Sequence, residues 1–155
     1  MKKYLAVLGI IGISMGVVAS TAQKPQVGKK KYKGKAFLAG GTIGSGKISK
    51  KLFDSLIAYP LAGLDTANKE RAVASFMFSY AERGVYEDST GKLRIMADYY
   101  ATESTKGKLA DDWVAQIRTR SKQGDTAFFF DIKGSYGDSL HTRFPVEPIT
   151  LIITE

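Results

Sequence analysis

The side chains that could do chemistry are few. His141 is the only histidine and there is no cysteine in the 155 residues. That composition removes thiolate zinc sites, cysteine nucleophiles, disulfide frameworks and any multi-histidine metal centre. Around His141 stand Asp138, Ser139 and, further upstream, Asp131. A hydrolase would use the histidine as base, the serine as nucleophile and an aspartate to orient the ring. Ser139 and His141 share one face of an extended segment, so proximity is allowed. No strained elbow and no oxyanion donors accompany them, and the segment reads as a turn running into a strand. Two carboxylate pairs also fail as a glycosidase acid and base. Asp111 and Asp112 are neighbours on a helix and diverge, and Asp125 and Asp131 lie about 20 Å apart on an extended strand.

Gly41-Thr42-Ile43-Gly44-Ser45-Gly46-Lys47 approaches a phosphate-binding loop. Ile48 stands where a hydroxyl must reach magnesium, and residues 36–39 are too short and weak for the buried strand that such a loop follows. The segment reads as a glycine-rich linker. No catalytic residue, metal or cofactor is assigned, and the chain reads as a non-enzyme.

Aromatic residues carry more information. Phe76, Phe78, Tyr80, Tyr99, Tyr100, Phe128, Phe129 and Phe130 fall on three expected strands. Alternation puts Phe128 and Phe130 on one face and Phe129 on the other, so both faces of that strand carry large rings. One face must be core. The other is either covered by the helix that bears Trp113 or open as a binding patch. Tyr100, Phe129 and Trp113 are assigned to the candidate interaction surface.

The elements that position these rings follow from period and punctuation. Residues 49–59 read as a short helix with Ser49 as N-cap; Leu52, Leu56 and Tyr59 recur at helical spacing with Phe53 and Ile57 alongside, and Pro60 ends it. Residues 73–80 alternate as a strand. Gly84 and Asp88-Ser89-Thr90-Gly91 supply turn chemistry, and residues 93–100 return as an antiparallel partner with Leu93, Ile95, Ala97 and Tyr99 on one face. Residues 108–120 form a second helix with Asp111 and Asp112 in its first turn, an apolar stripe of Leu109, Trp113, Val114 and Ile117, and Gly124 beyond its end. Strands are expected at 126–133, 139–144 and 148–154. No internal repeat is evident. The pattern predicts a mainly β fold, an antiparallel sandwich-like domain with two short helices.

Charge and composition set the organisation. The net charge is +8, yet eight of the 23 Lys and Arg precede Ala36, and the other 15 balance 15 acidic residues. The excess belongs to a leading arm, so it does not argue for nucleic acid. Lys2 and Lys3, an apolar stretch over 4–19, and Ser20-Thr21-Ala22 form a secretory signal peptide cleaved after Ala22. The alternative, an uncleaved anchor, is disfavoured because the run falls short of the roughly 20 residues a span requires. The expected organisation is a signal peptide at 1–22, a Lys/Gly-rich flexible arm at 23–47 and a folded domain at 48–155, with the mature protein periplasmic or secreted and not stably inserted in a membrane.

Gly46-Lys47-Ile48-Ser49-Lys50, the aromatic strand with Ser75-Phe76-Met77-Phe78, then Gln123-Gly124-Asp125 leading to Phe128-Phe129-Phe130-Asp131-Ile132-Lys133, and Pro145 with Pro148-Ile149 occur in an order that resembles the C-terminal domain of the gliding-motility protein GldM. The resemblance spans residues 46–154. It implies a periplasmic β-sandwich that contacts other envelope proteins, among them the ring of the type IX secretion machine. That family's long protein has a transmembrane helix and further periplasmic domains ahead of this one, where this sequence has a signal peptide, so a motor role does not carry over. The function expected is a non-enzymatic, exported protein–protein interaction module. The alternatives are a periplasmic hydrolase built on His141 or a glycan-binding protein using exposed aromatics.

Overall fold

Two long alternating segments carry the sheet. In a computed structural model of the chain, residues 32–39, 43–137 and 142–155 are described. The elements run β1 (Gly34–Phe37), β2 (Gly46–Ser49), α1 (Lys50–Leu56), β3 (Ala62–Asp65), β4 (Glu70–Glu87), β5 (Leu93–Ser104), α2 (Asp111–Arg120), β6 (Thr126–Ser135), β7 (Arg143–Pro145) and β8 (Ile149–Thr154). The fold is mainly β with two helices.

The expected sandwich is corrected to one curled, mixed sheet. β4 and β6 pair antiparallel along one edge of each, and each is long enough to take two neighbours in succession on its other edge. β4 takes β3 and then β5, while β6 takes β8 and then β7. The sheet therefore bends through these two strands instead of splitting into layers. β2 pairs parallel with β8, a contact between residues about a hundred positions apart that no local pattern announces.

Two irregularities make the bend. Between the pairs Met77–Phe130 and Ser75–Lys133, Asp131 and Ile132 oppose Phe76 alone, and Asp131 takes φ 50°. Between Ser75–Lys133 and Val73–Gly134 the extra residue is Ala74 on β4. Each bulge shifts side-chain parity by one, as an added residue must. Hence Ala127 and Phe129 are buried before the first bulge and Ile132 and Gly134 after it. At Gly134 a Cβ would lie 2.4 Å from the Phe144 ring, so the inward position there accepts only hydrogen.

The expected flexible arm at 23–47 is also corrected over its described part. β1 pairs antiparallel with β3, Leu38 and Ala36 are buried in the core, and β2 lies within the sheet. The Lys33 amide donates to the Pro145 carbonyl at 2.8 Å, and the Glu147 amide to the Gly34 carbonyl at 3.0 Å, which ties β1 to the chain leaving β7. Lysines at alternate positions hid this strand: their heads stay in water while Ala36 and Leu38 point inward.

Ser49 caps α1 as expected, its Oγ accepting from the Leu52 amide. The buried stripe, however, is Phe53 and Ile57, while Leu52 and Tyr59 are exposed. α2 spans 111–120 within the expected 108–120, and Leu109, Val114 and Ile117 are buried. The hairpin of β4 and β5 turns at Asp88–Gly91 as the sequence reading has it and extends to Ser104, but Gly84, read as turn chemistry, lies inside β4 and pairs with Met96.

A repeat does exist, at the turns. Asp65-Thr66-Ala67-Asn68-Lys69-Glu70-Arg71 and Asp88-Ser89-Thr90-Gly91-Lys92-Leu93-Arg94 share D-x-x-[N/G]-K-x-R. In both, the aspartate accepts from the backbone amides two and four residues on, and its second oxygen accepts from the arginine Nε at 2.9 and 2.6 Å. Asn68 and Gly91 take positive φ at the matching position, the geometry of a three-residue hairpin loop closed by a bulge.

Candidate functional site

The helices decide which face of the sheet is free. α1 and α2 cover the face that carries Phe76, Phe78, Tyr80 and Phe129, with Phe53, Ile57, Val114 and Ile117 completing the core. Phe129 is 1% exposed and its ring lies 5.0 Å from Phe78 and 5.5 Å from Phe76. Trp113 meets Phe78 edge-on at 6.4 Å. Tyr100 is half-buried against the same core, its ring 4.1 Å beneath the Arg120 guanidinium, which also donates to its hydroxyl. The three residues assigned to an interaction surface thus belong to the covered face. Sequence alternation separated the two faces; of its two alternatives for the Phe129 face, cover by the Trp113 helix is the one found, so the assignment of these three residues to an open surface is corrected.

The free face is the opposite one. Register places Met77, Ser79, Ala81 and Val85 of β4 beside Glu103, Ala101, Tyr99 and Ile95 of β5, and Met77, Ser79 and Ala81 beside Phe130, Phe128 and Thr126 of β6. Tyr99 is 68% exposed, Phe130 40%, Leu93 74% and Ile95 61%. Between β5 and β8 this face has a depression of about 400 Å³ lined by Ser79, Tyr99, Phe128, Phe129, Phe130, Pro148, Ile149 and Thr150. No lining residue is ionisable below the tyrosine range, and only Ser79, Thr150 and the Tyr99 hydroxyl offer side-chain hydrogen bonds. Such a floor suits apolar protein side chains. A sugar-binding floor adds amides or carboxylates beside its rings to satisfy hydroxyls.

The charged residues singled out in the sequence have structural partners. Asp125 is fully buried: the Tyr80 hydroxyl donates to it at 2.6 Å, the Arg83 amide at 2.7 Å and the Lys122 amide at 3.1 Å. It fastens the chain leaving α2 to β4, and burial, with the carboxylate alongside, pushes the Tyr80 phenol well above its ordinary range. Asp131 sits in the bulge with Lys133 at 3.3 Å. Asp111 and Asp112 lie in the first turn of α2. Glu82 accepts from Arg120 at 2.6 and 2.9 Å and from Lys122 at 3.3 Å, and the Arg120 hydrogen bond, with help from Lys122, holds it below the usual carboxylate range. Gly46 and Lys47 of the phosphate-loop-like motif are in β2, so they form no cradle. Asp138, Ser139 and His141 lie outside the described residues.

Among the described residues, no group of three or more His, Asp or Glu is placed to hold a metal ion, and no helix is long and apolar enough to cross a membrane. The fold and free face define a curled β-sheet domain with an apolar depression on its outer surface. No protein-family model and no curated protein matches the chain. The likeness to the gliding-motility domain therefore rests on the residues quoted for it.

Proposed function

We propose that this chain is an exported, non-enzymatic binding module of the bacterial envelope that docks a protein partner on the outer face of its sheet. The observation that carries the reading is the depression around Phe128, Phe130 and Tyr99, apolar and uncharged, on a face that no helix covers. Rings of this size buried by a partner supply the central anchors of a protein interface. The partner chemistry is an uncharged, apolar segment, because no lining side chain is placed to pair with an ion. The leader supports an envelope location, and the resemblance to the gliding-motility domain makes a type IX secretion-ring component the first candidate.

The test compares an affinity-tagged wild type with a Tyr99→Ser/Phe130→Ser variant expressed in the native host, after envelope crosslinking. A near-stoichiometric envelope protein that co-purifies with wild type and is lost from the variant is the expected result. Equal recovery by both would overturn the assignment of this face. Turnover of an ester or peptide reporter, abolished by His141→Ala, would instead establish the hydrolase alternative.

A further inference from the structure

β5 leaves a long edge open. Along β4 its register is uninterrupted from Phe76–Ser104 to Glu87–Leu93, and among the described residues no strand pairs with its other edge. The sequence LRIMADYYATES contains no proline and its ladder no bulge; of the devices that blunt such an edge it has only the charges Arg94, Asp98 and Glu103. The hydrogen-bond phase is fixed by the turn: the Asp88 amide donates to the Lys92 carbonyl. Counting on in twos, Arg94, Met96, Asp98 and Tyr100 turn their backbone groups toward β4. Leu93, Ile95, Ala97 and Tyr99 turn theirs to the open edge.

We infer that β5 pairs antiparallel with β5 of a second copy of this chain, about a two-fold axis at Met96. In this register Leu93 faces the partner's Tyr99 and Ile95 the partner's Ala97 as hydrogen-bonded pairs on the outer face. Arg94 faces the partner's Asp98 on the other face, twice by symmetry. The charges select this register. Asp98 is exposed, its carboxylate has no ion pair or hydrogen bond among the described residues, and it sits across from Glu82, a like charge. Arg94 gives its Nε to Asp88 and keeps a side chain 59% exposed, so its terminal nitrogens can reach across. Axes at Ala97 or Tyr99 lose both ion pairs, and an axis at Asp98 sets that carboxylate against itself. Pairing at Met96 extends the outer face across two copies, giving two docking faces on one continuous sheet.

The test is sedimentation of the mature chain over a concentration series, with Asp98→Arg and the charge swap Arg94→Asp/Asp98→Arg alongside. Wild type is expected to dimerise, Asp98→Arg to weaken self-association about 10- to 30-fold, and the swap to restore it. A wild type monomeric at every concentration, or a dimer indifferent to Asp98→Arg, would overturn the pairing. If the swap fails to fold, amide exchange in wild type decides: protection at Ile95 and Ala97 that rises with protein concentration supports the pairing, and fast exchange throughout overturns it. A monomer that still captures its envelope partner through Phe130 overturns the pairing alone and leaves the proposed function standing.

Discussion

Replacing Leu38 by alanine separates a flexible arm from a structural strand. Leu38 is 1% exposed, its amide donates to the Ile43 carbonyl at 2.8 Å, and it belongs to the buried core cluster beside Ala36. Removing most of a buried leucine side chain loses its transfer free energy and leaves a void, together about 3 kcal/mol within a range of about 2–5. For a domain of this size, with a urea dependence of roughly 1.5–2 kcal/mol per molar, the midpoint should fall by about 1.5–2 M. The single tryptophan reports it directly, since Trp113 packs edge-on to Phe78 in the core. Leu52→Ala on the exposed side of α1 is the control and should stay within about 0.5 kcal/mol of wild type. A Leu38→Ala midpoint within about 0.3 M of wild type, or a chain begun at Gly44 that melts like the whole protein, would show that β1 is no part of the cooperative unit.

Four further outcomes follow. Phe129→Ala should cost about 3–5 kcal/mol in denaturant titrations, whereas Phe130→Ser one residue on should be nearly neutral to stability, because the two rings sit on opposite faces. Gly134→Ala should destabilise by about 1–3 kcal/mol in the same titration, because the new methyl meets the Phe144 ring at 2.4 Å. Asp65 is held below its ordinary range by the Lys69 amide first and then Arg71, Asp88 by the Thr90 hydroxyl first and then Arg94, and Glu82 by Arg120. A lowered folded-state pKa gives stability that is complete above the ordinary carboxylate range and lost as pH falls through the folded value. The melting temperature should therefore drop below about pH 4, with a shallower drop in Asp88→Asn. The raised phenol of Tyr80 works in the other direction: stability should fall above about pH 10, and less so in Tyr80→Phe.

Much of the fold could be read before the structure because its signals are local. Ser49 before an apolar period and Pro60 after it mark α1, and alternation on either side of Asp88-Ser89-Thr90-Gly91 marks the β4–β5 hairpin. What escaped depends on contacts distant in sequence or on single backbone angles. The choice between Leu52/Tyr59 and Phe53/Ile57 as the buried side of α1 is made by β2 and β8, not by spacing. The bulge at Asp131 turns on one residue adopting φ 50°, and nothing in Phe130-Asp131-Ile132 requires it. Lysine-rich composition concealed β1, whose partner β3 is itself only four residues long. The repeated D-x-x-[N/G]-K-x-R turn was available in the sequence, since aspartate, a positive-φ residue and arginine at those spacings have a physical role.

The candidate site divides in the same way. Alternation established that Phe128 and Phe130 share one face and Phe129 the other. Which face the helices take is a tertiary decision, and it places Tyr100, Phe129 and Trp113 on the covered side. The open residues, Tyr99, Phe128 and Phe130, are their immediate sequence neighbours or share their strands.

The most direct measurement is site-specific photocrosslinking in the native envelope, with the reactive side chain placed at Phe130 on the outer face and, separately, at Leu52 on α1. One discrete protein adduct from position 130, absent from position 52, is the expected result. Equal adducts from both positions, or none from position 130, would contradict docking through the outer face.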